Sequence, residues 1–174
     1  CPGRGTYNKP ELGTLLRNHT DDPLIPQWDR MRTDADQDTL TALDTADRFS
    51  AARHTTGDNA SALIYACSYL DAQAVYDMHD VLAVTGNSLG WYIALAAGGG
   101  VDAQDGMQIV NTMGSLMHAH GTGGQILYPF VDADWREIEG EQTRLYALIA
   151  QIDAQQGMML ALSIHLGGMM VLAG

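Results

Sequence analysis

Cysteine, positive charge and long apolar runs are all scarce in this sequence. The two cysteines, Cys1 and Cys67, make neither a disulfide framework nor a metal-binding spacing, and Cys67 lies in an apolar helical run typical of a buried, reduced thiol. Only 9 basic residues stand against 21 acidic ones, and the net charge of −12 repels nucleic acid and anionic lipid. No apolar run reaches the roughly 18 residues that span a bilayer. We therefore expect a cytoplasmic protein that binds neither nucleic acid nor membrane.

The first residues, Cys1-Pro2-Gly3, are turn-forming and lack an initiating Met, so we expect that upstream residues have been removed. What the chain does contain is 46% hydrophobic residues and 19 glycines, with 17% charged residues, a composition typical of a buried α/β protein. Its length suits one core with a second, smaller lobe. We predict a large lobe over residues 1–120 and a small lobe over residues 121–174.

The large lobe is predicted to be mostly helical around one central strand. Its proline-broken beginning predicts loops and short helices. Asp58 or Asn59 is predicted to cap a buried helix that runs to Tyr76. The apolar run 80–85 predicts a central parallel strand, because buried parallel strands are uninterrupted apolar segments. Two more apolar helices are predicted after it, over 91–97 and 102–118.

The order of elements changes after the glycine-rich hinge 121–124. A strand, a helix and two strands are predicted in that order, over 125–130, 132–155, 158–165 and 169–173. This β-α-β-β order is typical of a small antiparallel lobe that forms part of a split β-α-β unit.

The run Gly86-Asn87-Ser88-Leu89-Gly90 fits the pattern G-x-S-x-G and stands between a predicted strand and a predicted helix. In a nucleophile elbow the two glycines allow a sharp turn that presents the serine hydroxyl. The start of the following helix supplies backbone N–H groups and a dipole that favour a developing oxyanion. We predict Ser88 as the catalytic nucleophile and the N–H of Leu89 as an oxyanion donor.

Motifs in four places resemble the malonyl-CoA:acyl-carrier-protein transacylase family. Pro2-Gly3-Arg4-Gly5 resembles its P-G-Q-G loop, Gly86–Gly90 its G-H-S-L-G elbow, Gly114–Met117 its R-G-x-x-M segment, and Met170–Gly174 its V-V-I-A-G strand. The resemblance spans nearly the whole chain and implies an α/β fold: an α/β-hydrolase-like large lobe with a parallel sheet, and a small ferredoxin-like (split β-α-β) lobe. It implies a ping-pong reaction in which Ser88 takes an acyl group from acyl-CoA and passes it to the phosphopantetheine thiol of an acyl-carrier protein. No metal or prosthetic group is implied.

The departures from the family motifs concern the substrate pocket. Met113 stands where the family carries the Arg that pairs with the malonyl carboxylate, and a thioether cannot pair with that charge. We therefore expect an uncharged acyl group, with Met113 either lining its pocket or serving as an ordinary core residue. Asn87 replaces the elbow His, and Trp91 stands where a small or acidic residue is common, so both are expected to shape the pocket. Arg4 replaces a Gln whose backbone N–H is the second oxyanion donor, and that role survives the substitution.

Asn59 and His165 are further substrate-binding candidates. Asn59 corresponds to a family Gln near the site and is equally expected as a helix cap. His165 lies where the family tends to place Asn, and is expected either to contact substrate or to be an ordinary strand residue. None of the 6 histidines falls at the family position of the catalytic base, which follows the V-I-A-G strand. We therefore expect a fragment, or half of a complex in which a second polypeptide supplies the His.

Two other functions stay open. An esterase or thioesterase would use the same elbow with water in place of the carrier thiol, and a catalytically degenerate subunit would keep the fold without the reaction. Because CoA and carrier proteins are both acidic, we expect a basic docking side despite the net charge. The candidates are the arginines in the first third of the chain: Arg4, Arg17, Arg30, Arg32, Arg48 and Arg53.

Overall fold

The structure is a computed structural model that describes residues 1–174. The chain divides into two compact units, Cys1–Gly121 and Thr122–Gly174. No helix in it is both long and apolar enough to cross a membrane. Both cysteines are free thiols. Burial raises the pKa of the Cys67 thiol to about 12, so this side chain is an unreactive part of the core.

The first unit is built from helices. A short 3-10 turn is followed by helices α1 (Thr14–His19), α2 (Leu24–Asp34), α3 (Leu40–Asp44), α4 (Ala51–His54), α5 (Gly57–Met78), α6 (Gly90–Ala97) and α7 (Ala103–His120). The short helices expected near the start of the chain are therefore present. Helices α6 and α7 begin and end within 2 residues of their predicted bounds, and α5 ends 2 residues later than predicted.

Helix α5 forms the centre of the first unit. Its residues 59–66 are all buried, because α5 packs against most of the other helices. At its start it crosses α7 closely: a Cβ on Gly57 would overlap the carbonyl oxygen of Gly114, and a Cβ on Gly114 would overlap that of Gly57. Glycine at both positions therefore permits the contact between the two backbones.

A buried carboxylate ties the start of the chain to this helical layer. Asp44 accepts hydrogen bonds from the hydroxyl of Tyr7, from the N–H of Leu15 at 3.2 Å and from the N–H of Leu16 at 2.9 Å. The two N–H groups belong to the first turn of α1, where no backbone acceptor is available. Burial raises the pKa of Tyr7, so its hydroxyl remains a donor to Asp44.

The central parallel strand predicted over residues 80–85 is wrong. This segment is neither helix, strand nor turn, and the side chain of Leu82 is 98% exposed. A parallel strand exists only with a neighbouring strand beside it, and the first unit contains none. An apolar run forms a buried strand only where neighbouring strands lie beside it, and the structure has none beside this segment.

The second unit contains strand β1 (Gln125–Pro129), helix α8 (Glu141–Asp153) and strands β2 (Ala161–Leu166) and β3 (Met169–Ala173). The strands form one sheet in the order β1-β3-β2, with both pairs antiparallel. Strands β1 and β2 therefore point the same way on either side of β3, which is the arrangement of a split β-α-β unit. The predicted β-α-β-β order is confirmed.

The two largest boundary differences in the second unit are the starts of α8 and β2. Helix α8 begins at Glu141 rather than Asp132, because the Asp132 carboxylate instead accepts the N–H groups of Asp134 and Arg136, each at 2.9 Å, and fixes a turn. Strand β2 begins at Ala161 rather than at residue 158. The core between α8 and the sheet contains four buried side chains: Phe130, Leu145, Met170 and Leu172.

Candidate active site

Ser88 occupies a strained turn immediately before α6. Its φ is +54°, a left-handed conformation that non-glycine residues rarely adopt. The neighbouring glycines are required by contact: a Cβ on Gly86 would overlap the carbonyl of Gly90, and a Cβ on Gly90 would overlap the carbonyl of Cys1. Strain of this kind persists only where the surrounding structure enforces it, and it is the geometry that a nucleophile elbow requires.

The turn leaves the Ser88 hydroxyl and one nearby backbone N–H without a hydrogen-bond partner. The N–H of Gly90 donates to Asn87 at 2.8 Å, and the N–H of Trp91 donates to Ser88 at 3.1 Å. By contrast, the N–H of Leu89 donates to no acceptor, and the exposed Ser88 hydroxyl makes no hydrogen bond. A free hydroxyl next in sequence to a free N–H at a helix start supplies a candidate nucleophile and a candidate oxyanion donor.

The opening loop lies directly against this turn. The amino group of Cys1 donates to the carbonyl of Thr85 at 2.7 Å, and the N–H of Asn87 donates to the carbonyl of Cys1 at 3.4 Å. A Cβ on Gly3 would stand 2.9 Å from the Asn87 oxygen and 3.4 Å from the Cβ of Ser88. The structure therefore brings together the first two motifs of the sequence, the loop and the elbow.

Arg4 follows Gly3 in this loop, and its backbone N–H donates to no acceptor. The loop is held in shape locally, since the Thr6 hydroxyl donates to the Gly3 carbonyl at 3.0 Å and the Asn8 amide donates to the Gly5 carbonyl at 2.8 Å. The free N–H groups of Arg4 and Leu89 thus belong to the two segments that meet at Ser88.

Asn59 does not present its side chain to a ligand. It is buried within the first turn of α5, with its oxygen accepting from Arg32 and its amide donating to the Arg53 carbonyl at 2.9 Å. Nor does it cap the helix: α5 begins at Gly57, and the N-cap residue is Thr56. Both polar atoms of Asn59 are used inside the first unit.

Arg32, one of the arginines expected on a basic docking side, is fully buried instead. Its guanidinium donates to the carbonyls of Asp38 (2.6 Å) and Asp58 (3.0 Å) and to the side-chain oxygens of Asn59 and Asn111 (2.5 Å each). Desolvation lowers the pKa of this guanidinium, and nearby carboxylates partly oppose that shift. Arginine is the side chain that remains charged in such a place, and it ties α2 to the starts of α5 and to α7. Sequence alone gave no signal for this role.

Met113 and Trp91 are accessible residues on two helices. Met113 lies on α7 with 36% of its surface exposed, and Trp91 lies on the first turn of α6 with 62% exposed. Both alternatives for Met113, a pocket residue and a packed residue of α7, therefore stay predictions. Asn87, within the elbow, is also exposed.

The histidines of the first unit include two with clear structural partners. His54 is fully buried, with one ring nitrogen 3.0 Å from the Leu43 carbonyl and the other 3.1 Å from the N–H of Ser50. His19 lies 2.8 Å from the carboxylate of Asp71. In the second unit, His165 lies on β2 with its ring centre 5.4 Å from that of Phe130. No histidine hydrogen-bonds to Ser88, and no cluster of His, Cys, Asp and Glu side chains is arranged to hold a metal ion.

The elbow at Ser88, the loop against it and the β-α-β-β unit together define the fold class: this chain has the acyltransferase fold. The likeness appears only in structure, since no family model and no curated protein matches the sequence. The resemblance to the transacylase family predicted from the motifs is confirmed at the level of the fold.

Several solved structures share that fold over 99% of this chain. They include the malonyl-CoA:ACP transacylase of Synechocystis sp. PCC 6803 (TM-score 0.72, 19% identity) and FabD from Acinetobacter baumannii (TM-score 0.71, 20% identity). A third is a type II polyketide synthase acyl-carrier protein in complex with its malonyl-transacylase (TM-score 0.69, 20% identity). The match covers 53%, 52% and 53% of those chains, respectively, so this chain spans about half of their length.

Proposed function

We propose that this chain carries the nucleophile of an acyltransferase that moves an uncharged acyl group from acyl-CoA, through acyl-Ser88, to the thiol of an acyl-carrier protein. The observation that carries the proposal is the left-handed backbone of Ser88 with the opening loop packed against it. A backbone conformation this costly needs a reason, and presenting a nucleophile is the established one for a G-x-S-x-G turn.

The reaction has two halves. The Ser88 oxygen attacks the thioester carbonyl carbon while its proton passes to a base, and the carbonyl oxygen becomes an oxyanion that the N–H groups of Leu89 and Arg4 stabilise. The carbon–sulfur bond then breaks, and CoA leaves as the thiol after taking the proton. In the second half the carrier thiol gives its proton to the base and its sulfur attacks the acyl-Ser88 carbonyl carbon. The bond from that carbon to the Ser88 oxygen then breaks, and the base returns the proton to restore the serine hydroxyl.

We propose that the base is a His on a second polypeptide. The Ser88 hydroxyl has no hydrogen-bond partner, while His19 and His54 are engaged elsewhere. A serine nucleophile needs a base within hydrogen-bond reach. Added imidazole should therefore substitute for the missing side chain, and we expect it to raise the rate of Ser88 acylation by at least about tenfold.

The uncharged acyl group is inferred from Met113. Its exposed thioether on α7 offers no positive charge to a carboxylate. The experiment is intact-mass spectrometry of the chain with imidazole and acetyl-, butyryl- or malonyl-CoA, and the Ser88→Ala variant is the control. We expect one adduct that forms faster from acetyl- and butyryl-CoA than from malonyl-CoA. Faster loading of malonyl would show that the inference about charge is wrong.

The Met113→Arg variant sharpens this test. A guanidinium at this position should pair with the malonyl carboxylate and raise the malonyl-to-acetyl loading ratio by about tenfold. Met117→Arg is the matched control, because Met117 is an exposed residue of the same helix, four positions further on. An equal rise in both variants would mean that added positive charge acts generally, and Met113 would then have no part in the pocket.

An acyl-carrier protein is the proposed acceptor. One of the similar structures is described as a transacylase in complex with its acyl-carrier protein, and this supports a carrier as partner here. The mass experiment also separates the other functions. An adduct that disappears rapidly without any thiol would indicate an esterase or thioesterase.

One observation favours a catalytically degenerate subunit: the unpartnered hydroxyl of Ser88. If imidazole produces no adduct at Ser88 from any of the three thioesters, the degenerate subunit is the correct function. We propose no metal and no prosthetic group for the transfer, because serine, two backbone donors and a base supply its chemistry.

A further inference from the structure

Gln37 follows the turn that ends α2, and backbone hydrogen bonds fix this turn. Asp36 has a φ of +56°, a left-handed conformation. The N–H of Gln37 donates to the Arg32 carbonyl at 2.9 Å, and the N–H of Asp36 donates to the Thr33 carbonyl at 3.0 Å. These two bonds are the pair found in a Schellman motif, in which a helix ends on a left-handed residue. The turn therefore holds the backbone of Gln37 at a fixed place beside the end of α2.

Both ends of the Gln37 side-chain amide bond to α7. Its oxygen accepts from the Asn111 amide at 2.6 Å, and its nitrogen donates to the Ser115 hydroxyl at 2.9 Å. The Asn111 oxygen accepts from the buried Arg32 guanidinium at 2.5 Å. Because a guanidinium only donates, the orientation of both amides follows from this contact. Gln37 is thus one link in a chain of side-chain hydrogen bonds that runs from a buried charge to Ser115.

Ser115 receives this bond on the part of α7 that also carries Met113. Its hydroxyl donates to the Asn111 carbonyl one turn earlier, at 2.9 Å, a contact that often bends a helix slightly. Gly114, between Met113 and Ser115, lies against the backbone of Gly57 at the start of α5. A small change in the direction of this part of α7 therefore moves Met113 relative to the rest of the first unit.

We propose that Gln37 is a positioning residue, which fixes the direction of α7 over residues 111–117 and thereby limits the length of the acyl chain that fits beside Met113. The pocket role of Met113 rests on the function proposed above, whereas the hold on α7 rests on the hydrogen bonds alone. Without the Gln37 amide, this part of α7 can yield to a longer chain. The wild-type chain should therefore transfer short acyl groups, and loss of the amide should favour longer ones.

The first measurement does not depend on catalysis. Hydrogen peroxide oxidises accessible methionines to the sulfoxide, and peptide mass spectrometry gives a rate for each methionine. In Gln37→Ala we expect the rate at Met113 to rise by about threefold, the limit set by its present exposure of 36%. Met107 is fully buried on the same helix and reports general unfolding, so its rate should not change. Met78, at the end of α5, is the exposed reference.

The second measurement compares the rates at which acetyl- and butyryl-CoA acylate Ser88 in the presence of imidazole. Gln37→Ala should raise the butyryl-to-acetyl ratio by about fivefold, the scale of losing one ordinary side-chain hydrogen bond. A general loss of stability would slow both acyl groups alike and leave this ratio unchanged. The ratio therefore separates a positioning role from a merely structural one.

Three further variants make the test specific. Ser115→Ala breaks the same hydrogen bond from the other side while adding a good helix former, so it should reproduce both effects even if Gln37→Ala folds poorly. Gln37→Glu should behave as wild type, because a carboxylate accepts from Asn111 and from the Ser115 hydroxyl after that hydroxyl rotates. Gln108→Ala is the matched control, since Gln108 is exposed and its side chain bonds only to Thr112 of the same helix.

Unchanged oxidation at Met113 in both Gln37→Ala and Ser115→Ala, or a rise shared by Met107 in both, would overturn the hold on α7. A rise at Met113 alone, with an unchanged acyl ratio, would overturn the limit on chain length. If no thioester acylates wild-type Ser88, the proposed function fails, and the oxidation rates still decide whether Gln37 holds α7.

Discussion

The helical layer formed by α1–α5 and the region from residue 80 to the end of α6 differ in how many of their polar groups are paired within the chain. In the helical layer, the buried side chains of Arg32, Asp44 and His54 each bond to several partners. Only the Trp28 Nε1 and one Asp58 carboxylate oxygen are buried there without a partner. In the other region, residues 80–84 have unpaired backbone groups and Ser88 has an unpaired hydroxyl. These open groups lie mostly on exposed residues, where water or a bound molecule can pair with them.

The largest expected effect comes from removing a buried hydrogen-bond donor from the helical layer. Arg32→Met should lower the free energy of unfolding by about 4 kcal/mol, because two amide oxygens and two carbonyls lose a charged donor inside the core. Chemical denaturation monitored by circular dichroism measures this loss. Arg30→Met is the matched control on the same helix, and since Arg30 is exposed we expect a change within about 0.5 kcal/mol. Similar losses in both variants would contradict the role given to Arg32.

The next effect concerns the contact between the opening loop and the elbow. Gly90→Ala places a methyl group where the Cys1 carbonyl lies, so the loop and its Arg4 N–H must move away from Ser88. We expect imidazole-assisted acylation to slow by about 100-fold, the scale of losing one oxyanion donor. Gly124→Ala is the control, because a Cβ there meets no atom within 4 Å. An unaffected rate in Gly90→Ala would remove the loop from the active site.

Much of the fold was readable from the sequence, and the elbow most of all. The G-x-S-x-G pattern predicted a strained turn at Ser88, and the structure has a left-handed backbone there, with Gly86 in close contact with Gly90 and Gly90 in close contact with the distant Cys1. The prediction of a strand over residues 80–85 was wrong because a strand depends on neighbouring strands, and a local sequence pattern carries no information about them. The sequence did not predict the buried contacts of Asn59 and Arg32, for a similar reason. Whether a polar residue faces solvent, a ligand or a buried partner depends on contacts between residues distant in sequence.

The smallest expected effect lies at the surface of the helical layer. Arg53 donates to Asp38 at 2.8 Å, and this hydrogen bond holds the pKa of Asp38 below its usual value. Because the pair is about 40% exposed, Asp38→Asn should lower stability at pH 7 by no more than about 1 kcal/mol. A depressed pKa stabilises the fold above the ordinary pKa of 3.8, and this contribution is lost as the pH falls through the folded value.

Denaturation of wild type and Asp38→Asn at pH 7 and at successively lower pH measures this effect. The difference between them should shrink as the pH falls below about 4, where Asp38 begins to take up a proton. Arg17→Ala is a suitable control, since Arg17 bonds only to the Thr14 hydroxyl and should show no such dependence. A difference that grows toward acid pH would contradict the stabilising pair.

The most direct test of the central claim is to find which serine is acylated. The chain is incubated with acetyl-CoA and imidazole, digested with a protease, and mapped by tandem mass spectrometry. Ser163 is the internal comparison, because it is an exposed serine on β2 without an elbow. We predict that Ser88 carries nearly all of the acetyl group. Equal labelling of Ser163 and Ser88 would mean that the turn confers no special reactivity, and would contradict the proposed nucleophile.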